Sequence, residues 1–208
     1  MKYIFVAGAP GSKWSSVVKN IYYSPSLDIS DYSDERTYYH DASGTMQLMH
    51  LGAYFDPGME FELPEDLTTL NKEQLEELFD QPFNGNGIRI VKSHIFCYQK
   101  NIEHLRSLWP ECPIVLVYRD NDSCLGWWVR CGHFDITYPK YDLYYQNLRT
   151  MSKIIDRQNG EVLEVIKKYN LKTIQSNVHL TKCLGIESPS SEYYQQYLIN
   201  DIEVYVLW

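Results

Sequence analysis

Four short runs of apolar and β-branched residues, Tyr3–Ala7, Ile88–Lys92, Pro113–Tyr118 and Leu171–Gln175, constrain this chain most, because none carries a regular polar alternate face. A strand with one wet face alternates polar and apolar residues, so runs without that alternation read as strands buried on both sides of a parallel sheet. Helical segments fall between them: Trp14–Tyr23, Lys72–Phe79, Ile102–Trp109, and a long stretch over Asp142–Tyr169 expected to break near Asn159-Gly160. Asn71 is placed to cap the second, whose Leu75, Leu78 and Phe79 share one face. Strands alternating with helices predict an α/β fold with right-handed crossovers, in which ligands sit at the carboxyl ends of the strands.

At 208 residues the chain is long enough to bury a core without staples, and with no linker or repeat it reads as a single domain over 1–208. The irregular segment Tyr23–Glu65, rich in Asp, Ser, Tyr and Pro, suits a lid, a substrate wall or a decorated surface loop. A formal charge of -8 argues against a general nucleic-acid or anionic-membrane binder, so an anionic ligand needs a local cluster of positive groups. The five cysteines are odd in number and make no CxxC pair, which points to reduced thiols rather than disulfides or a zinc site. No apolar run is long enough for a signal peptide or a membrane span, so a soluble, cytoplasmic protein is expected. The eighteen tyrosines read as packing at core edges.

The first run ends in Gly8-Ala9-Pro10-Gly11-Ser12-Lys13, and a helix is expected from Trp14. Amides of a glycine-rich turn and a helix start converge on one point, which suits an anion without any net positive charge on the protein. The Walker A pattern fails here, because Ser12 precedes Lys13 and Trp14 follows it. The loop looks like the "GAPGSGK" of small nucleotide kinases with one glycine deleted.

A second motif, "IRIVKSHIF", puts Lys92, Ser93 and His94 at the end of another strand. Here the chain resembles the PAPS-dependent sulfotransferases, whose second strand ends in K-T-H and whose first ends in P-[KR]-S-G-T-x-W. Pro10, Ser12 and Trp14, followed by Ser15 and Ser16, match the latter in part. "PIVLVYRDNDSC" resembles the family's strand ending in R-[ND]-P-x-[DE], whose arginine binds the 3′-phosphate; here it is Arg119. The family serine eight positions later is Trp127 in this chain, and Ser123 is the nearest hydroxyl. "LKTIQSNVHLTKCLGI" is similar to the late Leu-Gly-Ile segment of small members, while the R-K-G motif is absent.

The resemblance implies a P-loop NTPase-like three-layer fold with a central parallel sheet flanked by helices. It implies sulfonate transfer from PAPS to the hydroxyl of a small-molecule, glycan or lipid acceptor, with PAP as product and no metal. His94 would take the acceptor proton, Lys13 would bear on the leaving oxygen, and Lys92 would brace the sulfonate or the acceptor. Gly11, Ser12, Lys13, Trp14, Ser15 and Ser16 would hold the 5′-phosphate end; Arg119 and Ser123 would hold the 3′-phosphate. Each has a quieter reading: His94 satisfied by a backbone carbonyl, Lys92 as a solvated strand end, the serines as caps. Trp128, Arg130 and His133 could reach the site's mouth, although a tryptophan pair is more often core. Asp120 and Asp122 lack the hydroxyl that usually helps to hold Mg²⁺. Two other classes stay open, a nucleotide or small-molecule kinase with a degenerate P-loop and a non-catalytic nucleotide-binding domain.

Overall fold

The computed structural model describes residues 1–33, 51–130, 141–190 and 201–208. In chain order its elements are β1 (Tyr3–Gly8), α1 (Trp14–Lys19), β2 (Ala53–Tyr54), α2 (Lys72–Asp80), β3 (Arg89–Lys92), α3 (Gln99–Leu108) and β4 (Ile114–Tyr118). There follow α4 (Asn121–Arg130), α5 (Tyr141–Tyr145), α6 (Leu148–Lys168), α7 (Asn177–Leu184) and β5 (Glu203–Leu207). Short 3₁₀ turns cover Leu67–Thr69 and His94–Cys97.

The strands form one sheet in the order β2-β3-β1-β4-β5. The first four are parallel, and β5 runs antiparallel to β4. Because β1 lies between β3 and β4, with Val6 opposite Lys92 and Gly8 opposite Val117, these three strands end at the same edge.

The unbroken apolar character of the central strands follows from burial on both faces. Tyr3, Phe5 and Ala7 of β1 join Ile114 and Leu116 of β4 in one core, closed by Leu75 and Phe79 of α2 and Ile102 and Leu105 of α3. Ile4, Val6, Val115 and Val117 point into the other core, against α1, α4 and α7. The long α6 serves both, with Met151 and Ile155 in the second and Val162 and Val165 in the first.

Several expectations need correction. Leu171–Gln175 is not a strand; it makes a single ladder-like bond, Ile174 N–H to Val204 O at 2.7 Å, and the fifth strand is Glu203–Leu207, registered with β4 over its full length. The long helix does not break at Asn159-Gly160. Asn159 is buried and its amide donates to the Arg119 carbonyl and to Asn121 Oδ1, both at 2.7 Å, so tertiary bonds hold the helix through the glycine. The break comes earlier, at Gln146 with φ 57°, after which the Asn147 side chain caps α6 by accepting from Thr150 N–H. The first helix is shorter than expected, passing into turns after Lys19. α2 carries the cap expected of Asn71, extended into a capping box with Gln74.

Part of the irregular segment joins the sheet as β2, while residues 34–50 lie outside the described residues, as do Cys131 and His133. Cys97, Cys112 and Cys124 are buried free thiols, and Cys183 is half-buried. No helix among the described residues is long and apolar enough to cross a membrane.

Candidate functional site at the carboxyl edge of the sheet

Past Gly8 the chain turns sharply, with Ser12 N–H donating to the Ala9 carbonyl at 2.9 Å. Gly11 has φ +81°, and a Cβ there would lie 2.0 Å from the Cys124 carbonyl oxygen, so only glycine lets this loop rest on the backbone of α4. Ser12 is folded beneath the loop, fully buried, and its hydroxyl has no partner among the described residues. Lys13 takes the left-handed conformation, φ 62°, and α1 starts without a side-chain cap. A left-handed non-glycine residue is strained, and its presence in a strand-end loop marks a functional candidate.

Lys13 does not project alone. Its Nζ is 3.2 Å from Asp201 Oδ2 and 4.9 Å from the centre of the Trp127 ring. Arg119, the first residue after β4, is buried and reaches the same carboxylate, Nε to Oδ2 at 2.9 Å, while Nη1 donates to the Gly11 carbonyl at 3.0 Å. Partial burial pushes the Asp201 carboxyl up, but the bonds from Lys13 and Arg119 outweigh it and hold the group below the usual range. Two cations from two strand ends thus close on one carboxylate.

A second group packs behind the first through Trp14. The His94 ring stacks on the Trp14 indole, centroids 4.0 Å apart, and Tyr54 meets both rings edge-on. His94 Nδ1 lies 2.5 Å from the Gly8 carbonyl oxygen. A carbonyl only accepts, so Nδ1 carries the hydrogen and Nε2 is the basic nitrogen. Burial pushes the imidazole down to about 3; the Gly8 bond opposes this and the nearby Lys92 charge adds to it. Lys92 is itself fully buried, with Nζ 5.7 Å from the Trp14 ring and 5.9 Å from the Tyr54 ring.

Ser93 donates to Asp56 Oδ1 at 3.1 Å, and Asp56 also accepts from the hydroxyls of Tyr145 and Tyr54. This carboxyl, just past β2, is fully buried, and burial pushes it up to about 7 against those hydrogen bonds. Neither Asp56 nor Asp201 stood out in the sequence. Each is one acid among many, and what distinguishes them is the partner brought to them by the sheet.

The remaining candidates are less central. Ser15 and Ser16 are half-buried on α1, where the Ser16 carbonyl accepts from the Asn20 side chain. Ser123 is turned to Asp120, whose carboxylate accepts its N–H at 2.9 Å, closing the first turn of α4. Trp128 belongs to the core, while Arg130 is exposed. Among the described residues no group of three His, Cys, Asp or Glu is arranged to hold a metal ion. The structure therefore brings Gly11, Lys13 and Arg119 into one cluster and Trp14, Lys92 and His94 into the next. It does not bring Ser12 Oγ to the surface of that cluster. Comparison with protein families, curated proteins and solved structures finds no match for this chain.

Proposed function

We propose that the chain is a PAPS-dependent sulfotransferase acting on a hydroxyl-bearing acceptor, with the loop after β1 working as a P-loop-type anion cradle. The observation that carries this reading is the convergence of Lys13 and Arg119 on a single carboxylate at the shared carboxyl edge of β1 and β4. A protein of formal charge -8 that gathers two cations at a strand-end crevice has the local field that a phosphorylated nucleotide needs. Arg119 offers the planar donor set suited to a phosphate, and the Trp127 ring lies beneath both cations.

In the reaction, His94 Nε2 takes the acceptor hydroxyl's proton as the acceptor oxygen bonds to sulfur. Lys13 stabilises the bridging oxygen that leaves with the bisphosphate. The Nδ1 bond to Gly8 supports the first role by fixing the tautomer that accepts at Nε2. Bringing anionic groups near His94 opposes the burial that now keeps it neutral.

A second reading, a nucleotide-binding domain without turnover, is favoured by one observation: Asp201 already engages both cations of the site. A kinase is disfavoured by the missing loop glycine. Thermal-shift measurements with PAP, ADP and Mg-ATP, followed by a sulfonate-transfer assay, test all three. Stabilisation by PAP with transfer upholds the proposal, PAP binding without turnover favours the second reading, and Mg-dependent ATP binding favours the kinase. No response to any of them overturns a nucleotide site altogether.

A further inference from the structure

We infer that Asp201 is a resident competitor for the anion site of Lys13 and Arg119, holding both cations until a phosphate dianion of the ligand displaces it. This rests on the reading of that site as the nucleotide's phosphate pocket. The geometry has three parts. The Arg119 side chain is only 8% exposed, while that of Asp201 is 38% exposed, so the carboxylate stands on the solvent side of a dry guanidinium, where an arriving anion comes from. Arg119 keeps a separate anchor, Nη1 to the Gly11 carbonyl, so its position does not depend on the carboxylate. Lys13 and Arg119 both keep the Trp127 ring as a neighbour when the carboxylate leaves.

The charges explain what such a residue selects. Lys13 and Arg119 share one hydrogen-bonded carboxylate, with Asp120 feeling the Arg119 charge without a bond to it among the described residues, and a monoanion gains little by replacing a carboxylate already in place. A phosphate dianion matches both cations and gains the difference. Asp201 therefore lowers affinity for every anion and sets a minimum charge on the one that binds. The Asp201 side of the cluster is open to solvent, where water solvates the carboxylate once it is displaced.

The test is isothermal titration of PAP and of inorganic pyrophosphate into the full chain and its Asp201→Asn and Asp201→Ser variants, with near-UV circular dichroism to establish folding. Both variants are expected to bind more tightly by on the order of tenfold, the effect of a binding-competent state populated about a tenth of the time. Unchanged or weaker binding in folded variants, with PAP still binding the parent chain, overturns the inference and makes Asp201 a structural tie, leaving the functional reading intact. Tightening toward pyrophosphate with no PAP binding in any form upholds the competition and overturns the nucleotide reading. No binding of either anion by any form overturns both. If Asp201→Asn does not fold, Asp201→Ser decides. If neither variant folds, Asp201 is a structural tie and the inference is overturned.

Discussion

The imidazole of His94 lies face to face with the indole of Trp14, planes only 12° from parallel, and Trp14 directly follows Lys13 in the chain. The ring that shields His94 from water is thus covalently part of the loop after β1. Trp14→Leu should lower stability by about 1–3 kcal/mol. It should also raise the His94 pKa from about 3 toward the ordinary 6.5, because water reaches the exposed ring face. Histidine resonances followed through a pH titration report this, with His94→Gln supplying the assignment. An unmoved His94 in a folded Trp14→Leu protein would show that other neighbours keep the ring dry.

Asp56 and His94 give opposite pH dependences. His94 stays neutral in the folded protein down to about 3 but protonates near 6.5 when unfolded, so it removes stability as pH falls through that window. Asp56 keeps its proton in the folded protein up to about 7 but ionises near 3.8 when unfolded. Its contribution is therefore present below 3.8 and lost as pH rises toward 7. Over the shared window the slopes oppose. Asp56→Asn should leave stability rising with pH, and His94→Gln should leave it falling, each by at most about 1.4 kcal/mol per pH unit. Urea unfolding across that range measures both slopes, and two variants with the parent's slope would show that neither group is linked to folding.

At Lys13 the backbone and the charge are separable. Lys13→Ala and Lys13→Gly both remove the ammonium, but only glycine holds φ 62° without strain. The glycine variant should be more stable than the alanine variant by about 1 kcal/mol, and on the proposed function the two should lose PAP affinity equally. Calorimetric melting and PAP titration of the pair check this. Alanine as the more stable variant would mean that the loop relaxes once the lysine is gone.

Two glycines should respond in opposite directions to alanine. Gly11→Ala meets the Cys124 carbonyl and must lift the loop from α4, which should lower stability by about 1–3 kcal/mol and weaken the Arg119 contact to residue 11. Gly160→Ala, with nothing within 4 Å of the new Cβ inside α6, should raise stability by about 0.5–1 kcal/mol. Thermal unfolding of both variants is sufficient, and equal effects would contradict the placement of the loop on α4.

The central sheet was legible because β1 and β4 are buried on both faces and that burial writes itself as uninterrupted apolar sequence, while in β3 the apolar pair Ile90-Val91 divides between the two cores inside a strand that begins at Arg89 and ends at Lys92. β5 obeys the same rule. Val204, Tyr205, Val206 and Leu207 form an unbroken apolar run whose side chains divide between the two cores, so its signature stands in the sequence beside those of the central strands, and what the sequence does not carry is its antiparallel pairing with β4. Leu171–Gln175 misled, since it lies beside β5 without extending the ladder. Local punctuation worked where nothing distant competed, as at the Asn71 cap, and failed at Asn159-Gly160, where the buried amide of Asn159 overrides the glycine. In the site, Lys13, His94 and Arg119 were visible because their strand ends were. Asp201 and Asp56 were not, since a carboxylate's importance there depends on contacts across 82 and 37 residues of chain.

β5 follows α4, α5, α6 and α7 in the chain, and Asp201 stands two residues before it. One short segment therefore carries both the strand that completes the sheet and the carboxylate shared by Lys13 and Arg119. Until β5 docks, Lys13 and Arg119 face each other as bare cations and the open edge of β4 remains available for mispairing. Long-range pairing of this kind is slow, since the loop must close before any contact rewards it. Any stage of assembly in which β5 is undocked therefore leaves Lys13 and Arg119 without their shared carboxylate, and the pairing of β5 with β4 completes the sheet edge and the charge cluster together.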